Sequence, residues 1–145
     1  MRHVSHIAAV IAVLGLLTAS RPLPAQEVAV VSAKSSVTTL SKNQLADIFL
    51  GKSVRFPDGS QVVPIDQSEG TLARDEFYIW IAGKSAAQMK AYWSRIIFTG
   101  RGQPPRAAQS SSETKKLVAA NPNSIGYLEP KLVDDTVRVV TVTQP

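Results

Sequence analysis

Val28-Ala29-Val30-Val31-Ser32-Ala33-Lys34-Ser35-Ser36-Val37-Thr38-Thr39-Leu40-Ser41-Lys42-Asn43-Gln44-Leu45-Ala46-Asp47-Ile48-Phe49-Leu50-Gly51 is the stretch that sets the fold class. Its first four residues form a short continuous apolar run, the pattern of a buried strand. Lys34 to Thr39 is polar and reads as a connection. A helix then opens at Ser41, because Ser41 and Gln44 are spaced as a capping box and Leu40 stands where it can staple onto Leu45. Leu45, Ile48 and Phe49 supply one apolar face, and Gly51 is placed to end the helix. A buried strand that leads directly into a capped amphipathic helix is the start of an α/β domain.

The pattern continues downstream. Pro57-Asp58-Gly59-Ser60 has turn composition, and Gln61 to Ile65 is a β-branched run that predicts the second strand. Ala73, Phe77, Trp80 and Ile81 recur at helical spacing, predicting a helix over about 70–82 that Gly83 stops. Ser85 and Gln88 form a second capping box, and Met89, Tyr92, Trp93, Ile96 and Ile97 carry the period onward. Aromatic residues at that spacing are expected in the core. Gly100 to Ser111, with Gly102, Pro104 and Pro105, reads as a loop. Ser110 and Glu113 open a short helix that Asn121-Pro122 ends, and Ile125–Leu128 and Val137–Val142 read as two further strands. The order β-α-β-α-α-α-β-β predicts a mixed sheet covered by helices.

Upstream, residues 1–25 have a different character. Arg2, His3 and His6 precede an uncharged apolar run from Ile7 to Ala19, followed by Pro22, Pro24 and Ala25. The order of a basic start, a short apolar stretch and small residues is that of a cleaved export signal. The run is shorter than the roughly 20 residues a membrane span needs. Cleavage near Ala25 would release residues 26–145 as one domain outside the cytoplasm, in the periplasm. The chain has sixteen Lys and Arg against eleven Asp and Glu, and losing Arg2 and Arg21 with the signal leaves an excess of +3. The basic residues are scattered, with neither the stripe nor the module that nucleic-acid binding calls for.

Cysteine is absent, and both histidines lie in the leader. Residues 26–145 therefore lack the side chains for Ser-His-Asp or Cys-His nucleophilic catalysis, for ordinary structural zinc, and for the commonest general base. Asp47, Asp58, Asp66, Glu69, Asp75 and Glu76 are carboxylates that nothing in the sequence pairs for glycoside chemistry. The expectation is a protein with no catalytic residues, no metal site and no cofactor.

Ile48-Phe49-Leu50-Gly51-Lys52, Tyr92-Trp93 with Phe98-Thr99-Gly100, Pro104-Pro105, and Ser124-Ile125-Gly126-Tyr127 occur in an order and spacing that resembles the substrate-binding proteins of phosphate ABC transporters. The likeness runs over most of Val28 to Val142 and is greater for short members with one lobe. It implies an α/β fold: a single periplasmic-binding-protein-like lobe, with a mixed β-sheet flanked by helices. It also implies inorganic phosphate or a similar oxyanion as ligand, and an ABC permease or another envelope protein as partner.

In that family phosphate is held partly by a Ser-Gly-Thr turn at a helix start, with an arginine nearby. The matching positions are Ser68, Gly70, Thr71 and Arg74. Exposed N–H groups and the positive end of a helix dipole suit an anion there. Glu69 is placed within the turn, and Asp66-Gln67 stands where the family has an arginine. Two other readings stay open. Ser68 and Thr71 could simply cap the helix, with Arg74 solvated or paired to Glu69 or Asp75; and the lobe could serve as a protein-interaction module that binds no solute. Arg101 and Arg106, on the Gly- and Pro-rich loop, read as solvated, with contact to an anion or a partner protein as the other reading.

Overall fold

The computed structural model describes residues 26–145; the predicted export signal, residues 1–25, lies outside them. Strand β1 (Val28–Ser32) is followed by β2 (Thr39–Ser41), helix α1 (Lys42–Phe49), β3 (Val63–Gln67), α2 (Leu72–Ala82) and α3 (Ala86–Phe98). Then come β4 (Arg106–Ala108), α4 (Ser111–Ala120), β5 (Ser124–Leu128), a 3₁₀ turn (Pro130–Leu132), β6 (Val137–Val139) and β7 (Thr141–Thr143). Five strands form a mixed sheet in the order β4-β3-β5-β1-β6, and β2 and β7 make a separate parallel pair. Within the large sheet β3, β4 and β5 are parallel, whereas β1 runs antiparallel to both β5 and β6.

Two-residue periodicity divides the core between the faces of the sheet. Ala29 and Val31 of β1, with Ile125 and Tyr127 of β5, join the cluster that holds Leu45, Ile48, Phe49, Phe77 and Met89. The alternate residues Val30 and Leu128 pack with Ile65 and Val118 of α4 on the other side. Helices on both faces explain why β1 reads as a continuous apolar run. On the α4 side Gly126 is a steric requirement. A β-carbon there would stand 2.7 Å from Cγ2 of Thr114 and 3.0 Å from Cγ2 of Val118. The glycine lets α4 approach the sheet.

Both capping boxes are present: the N-cap serine Oγ accepts from the N3 backbone while the N3 glutamine accepts from the serine N–H, at Ser41/Gln44 and at Ser85/Gln88. Gly83, at φ 62°, ends α2 in the left-handed region where glycine carries no penalty. Differences from the sequence reading fall where pairing is non-local. Thr39–Ser41 is a strand, held parallel to β7, and not purely a connection. The 100–111 loop contains β4, paired parallel to β3. The second strand is shifted two residues onward to end at Gln67. The run 137–142 is two strands in different sheets, because Val140 is a buried break between partners.

Along α3 only Met89 and Trp93 are buried, while Tyr92 and Ile96 are partly buried. Trp93 lies against the turn after α1: a β-carbon on Gly51 would be 3.2 Å from its ring. Tyr92 adds an OH that donates to the Leu50 carbonyl at 2.6 Å. Trp93→Ala is therefore expected to cost about 3–5 kcal/mol by urea unfolding; a loss under about 1 kcal/mol would mean that α3 does not depend on this contact.

Candidate functional site

The carboxyl ends of the parallel strands β3 and β4 face two helix starts. β3 ends in Asp66-Gln67 and turns through Ser68-Glu69-Gly70 into α2, whose N-cap is Thr71. β4 leads through Gln109 to the α4 N-cap, Ser110. The Ser68 N–H and Oγ both donate to the Ala108 carbonyl, at 3.0 and 3.2 Å, and join the two turns. Gln67 Nε2 donates to Ser111 Oγ at 3.2 Å and to the Tyr127 carbonyl at 3.0 Å. In open α/β sheets this end of the strands is where ligands bind.

Ser68, Gly70, Thr71 and Arg74 come together at the start of α2. The Thr71 hydroxyl is committed, donating to the Ser68 carbonyl at 2.9 Å and accepting from the Arg74 N–H at 3.4 Å. Gly70 has φ 88° and nothing within 4 Å of where a β-carbon would lie, so the turn is open above it. The first-turn N–H groups of Leu72 and Ala73 are those that a helix leaves without an internal acceptor. Glu69 is exposed and reaches Lys90 only at 4.0 Å. Such a pair contributes about 0–1 kcal/mol.

Arg74 is paired neither to Glu69 nor to Asp75. It is 8% exposed, and its Nε donates to Asp66 Oδ2 at 3.4 Å while the guanidinium lies 5.1 Å from the Tyr78 ring centre. Asp66 is 3% exposed and receives three further hydrogen bonds. Tyr78 OH donates to Oδ2 at 2.7 Å, and Tyr127 OH and the Gln67 N–H donate to Oδ1 at 2.5 and 2.8 Å. Burial, followed by the Asp66 charge and hydrogen bond, pushes both phenols above the ordinary tyrosine range, so both remain protonated donors. The Arg74 Nη groups have no hydrogen-bond acceptor among the described residues.

Sequence reasoning reached the turn but missed the buried cluster behind it. Asp66 was visible as a carboxylate next to the turn. Its two tyrosines are 12 and 61 residues away, and no local spacing announces them. Arg106 heads β4 and Arg101 remains exposed in the preceding loop, so neither joins this cluster. Among the described residues no group of three metal-ligating side chains forms, and no helix is long and apolar enough to cross a membrane.

Comparison with solved structures places this architecture. The chain superposes on a protein designated a phosphate ABC transporter substrate-binding protein, from Clostridium perfringens and solved with phosphate bound, with TM-score 0.65 and 23% identity. That match covers 81% of this chain and 44% of the other. An ABC-type phosphate transport receptor from Vibrio cholerae matches with TM-score 0.63 and 19% identity, over 81% of this chain and 46% of the receptor. PstS from Borrelia burgdorferi matches with TM-score 0.59 and 13% identity, over 81% and 47%. The chain shares its fold with part of each of these three proteins. The chain spans under half the length of each of these three, and they are binding proteins rather than enzymes by designation. No protein-family model and no curated protein matches it by sequence.

The Asp66 cluster makes a stability prediction. Removing the carboxylate leaves a buried guanidinium and two buried hydroxyls without their acceptor, so Asp66→Ala should cost about 3–5 kcal/mol in urea unfolding. Glu69→Ala, at the exposed turn, should change stability by no more than about 0.5 kcal/mol. Equal effects of the two changes would contradict the assigned roles.

Proposed function

We propose that the protein is an exported solute-binding-type lobe that takes inorganic phosphate or a similar oxyanion weakly at the start of α2. The observation that carries this reading is the open turn at Gly70 just before α2, with Arg74 in the first turn of that helix, on a fold shared with a phosphate-bound protein. Backbone N–H groups of the first turn would donate to the oxyanion. The Nη groups of Arg74 would add a charge-assisted hydrogen bond. An ABC permease or another envelope protein would be its partner, and the periplasm its compartment.

The expected affinity follows from what is already committed. Two or three hydrogen bonds to a charged ligand contribute about 1.5–3 kcal/mol each, and an exposed helix N-terminus about 0.3–1 kcal/mol. After the opposing charge of Glu69 the sum is about 4–6 kcal/mol, a Kd of about 1 mM to about 50 μM. The carboxylate of Glu69 opposes the anion from the rim. An NMR titration with phosphate to about 20 mM should shift the amides of residues 66–74, and Glu69→Gln should tighten binding several-fold. No shift in these amides for either protein rejects the oxyanion reading.

A second reading, a lobe that docks a protein and binds no solute, is favoured by exposed apolar side chains. Phe98 is 92% exposed, Leu72 68% and Ile97 55%. A null phosphate titration puts that reading ahead. Export has its own check: intact mass of the protein recovered from the cell envelope should correspond to a chain starting near Gln26. A species retaining Ile7 to Ala19 would point to a membrane anchor instead.

A further inference from the structure

Basic residues that lie far apart in the sequence come together at the other end of α2 from the oxyanion turn. A groove of ≈ 490 Å³ between α1 and the end of α2 has Lys42, Asn43, Asp47, Lys52, Lys84 and Pro145 among its walls. A second groove, of ≈ 360 Å³, shares Lys84 and adds Gln88, Tyr92 and Arg95 of α3. The Tyr92 OH donates to the carbonyl of Leu50, which lines the first groove, so the two adjoin at the end of α1.

Lys42 and Lys84 are half-buried, and Lys52 and Arg95 are exposed. No ion pair among the described residues engages any of the four. Lys84 Nζ stands 5.8 Å from the Tyr92 ring centre, a contact that steadies the ammonium without neutralising it. Asp47 and the carboxylate of Pro145 oppose these cations and leave them in excess. The cations are spread over two adjoining grooves rather than aimed at one point, which suits an extended chain of anions better than a single small one. A lipid surface would call for apolar side chains standing out beside the basic ones, whereas Leu50 and Ile81 of this lining are buried. Nucleic acid would call for rings on which bases stack. Tyr92 is the aromatic residue here, and it is half-buried with its OH engaged.

We propose that the two grooves together dock an acidic, extended segment of a partner protein, with its carboxylates on Lys42, Lys52, Lys84 and Arg95. The excess of positive charge selects the partner by complementarity and steers its approach, and the Asn43 amide offers hydrogen bonds to its backbone. This deepens the reading that an envelope protein is the partner, on which it rests, and it holds whether or not the α2 turn takes phosphate.

The test is an NMR titration of the full chain with an octaglutamate peptide at low salt. Saturable shifts are expected in the amides of residues 42–52 and 84–95, with none in residues 66–74 or on α4. Lys84→Gln removes the cation common to both grooves and should weaken binding about two- to fivefold, the range for an exposed ion pair. Lys116→Gln, an exposed lysine of α4 on the other face of the sheet, should leave binding unchanged. Raising sodium chloride from about 20 mM to about 500 mM should abolish the shifts, because exposed charges are screened. Absent shifts, shifts spread over the whole surface, or equal effects of Lys84→Gln and Lys116→Gln would overturn the proposal. So would the same shifts from inorganic phosphate at equal total charge, or tighter binding to phosphatidylglycerol vesicles than to the peptide. A null phosphate response in residues 66–74 bears on the oxyanion reading alone.

Discussion

A carboxylate that is almost completely buried needs every lone pair occupied, and Asp66 meets that requirement by drawing on three elements at once. Its acceptors take hydrogen bonds from Arg74 and Tyr78 on α2, from Tyr127 on β5, and from the adjoining Gln67 N–H. The bonds from Arg74 and Tyr78 tie α2 to the end of β3, and the bond from Tyr127 ties β5 to the same carboxylate. The Phe77 ring, stacked 3.8 Å from Tyr127, adds apolar contact along the same line. A buried pair of this kind is poor evidence for net stability, because desolvation offsets attraction. Its consequence is geometric: Asp66 ties α2 to the strand ends, while Ser68 holds the turn itself to the Ala108 carbonyl of β4.

The same cluster governs what the turn can attract. Asp66 and Arg74 carry opposite charges, so the positive field that Arg74 could present to an anion is largely balanced from within. What remains is the polarity of the first-turn N–H groups and the two Nη groups. Glu69 adds negative charge at the rim. Only a modest affinity is consistent with such a balance, whatever the fold's resemblance to proteins that bind phosphate.

The legible parts of the fold were those written in local chemistry. Both capping boxes, the glycine stop at Gly83 and the apolar run of β1 could be read directly, because each depends on residues within a few positions of one another. β2 and β4 were not legible. Thr39-Leu40-Ser41 and Arg106-Ala107-Ala108 have no apolar period of their own, and they become strands only through parallel partners elsewhere. The site divides the same way. Ser68, Gly70, Thr71 and Arg74 are the positions the family resemblance implies, whereas the partner of Arg74 was not implied by it. Asp66 was chosen over Glu69 and Asp75 by burial. An acid on the inner end of a strand faces the guanidinium in a low dielectric, and one at a solvated turn does not.

The two faces of α2 therefore have different electrostatic characters within a single short helix. Its N-terminus presents donors to solvent, with the adjacent charge neutralised by Asp66. Its middle, at Glu76 and Trp80, looks onto a largely apolar cavity with aromatic walls. Separation of these characters follows from the helical period. Thr71 and Arg74 are set at the strand ends by the Asp66 cluster, and that setting rotates Glu76 and Trp80 toward the start of β1. The Asp66 cluster that holds the start of α2 thus also sets which side of the helix faces the residues before β1.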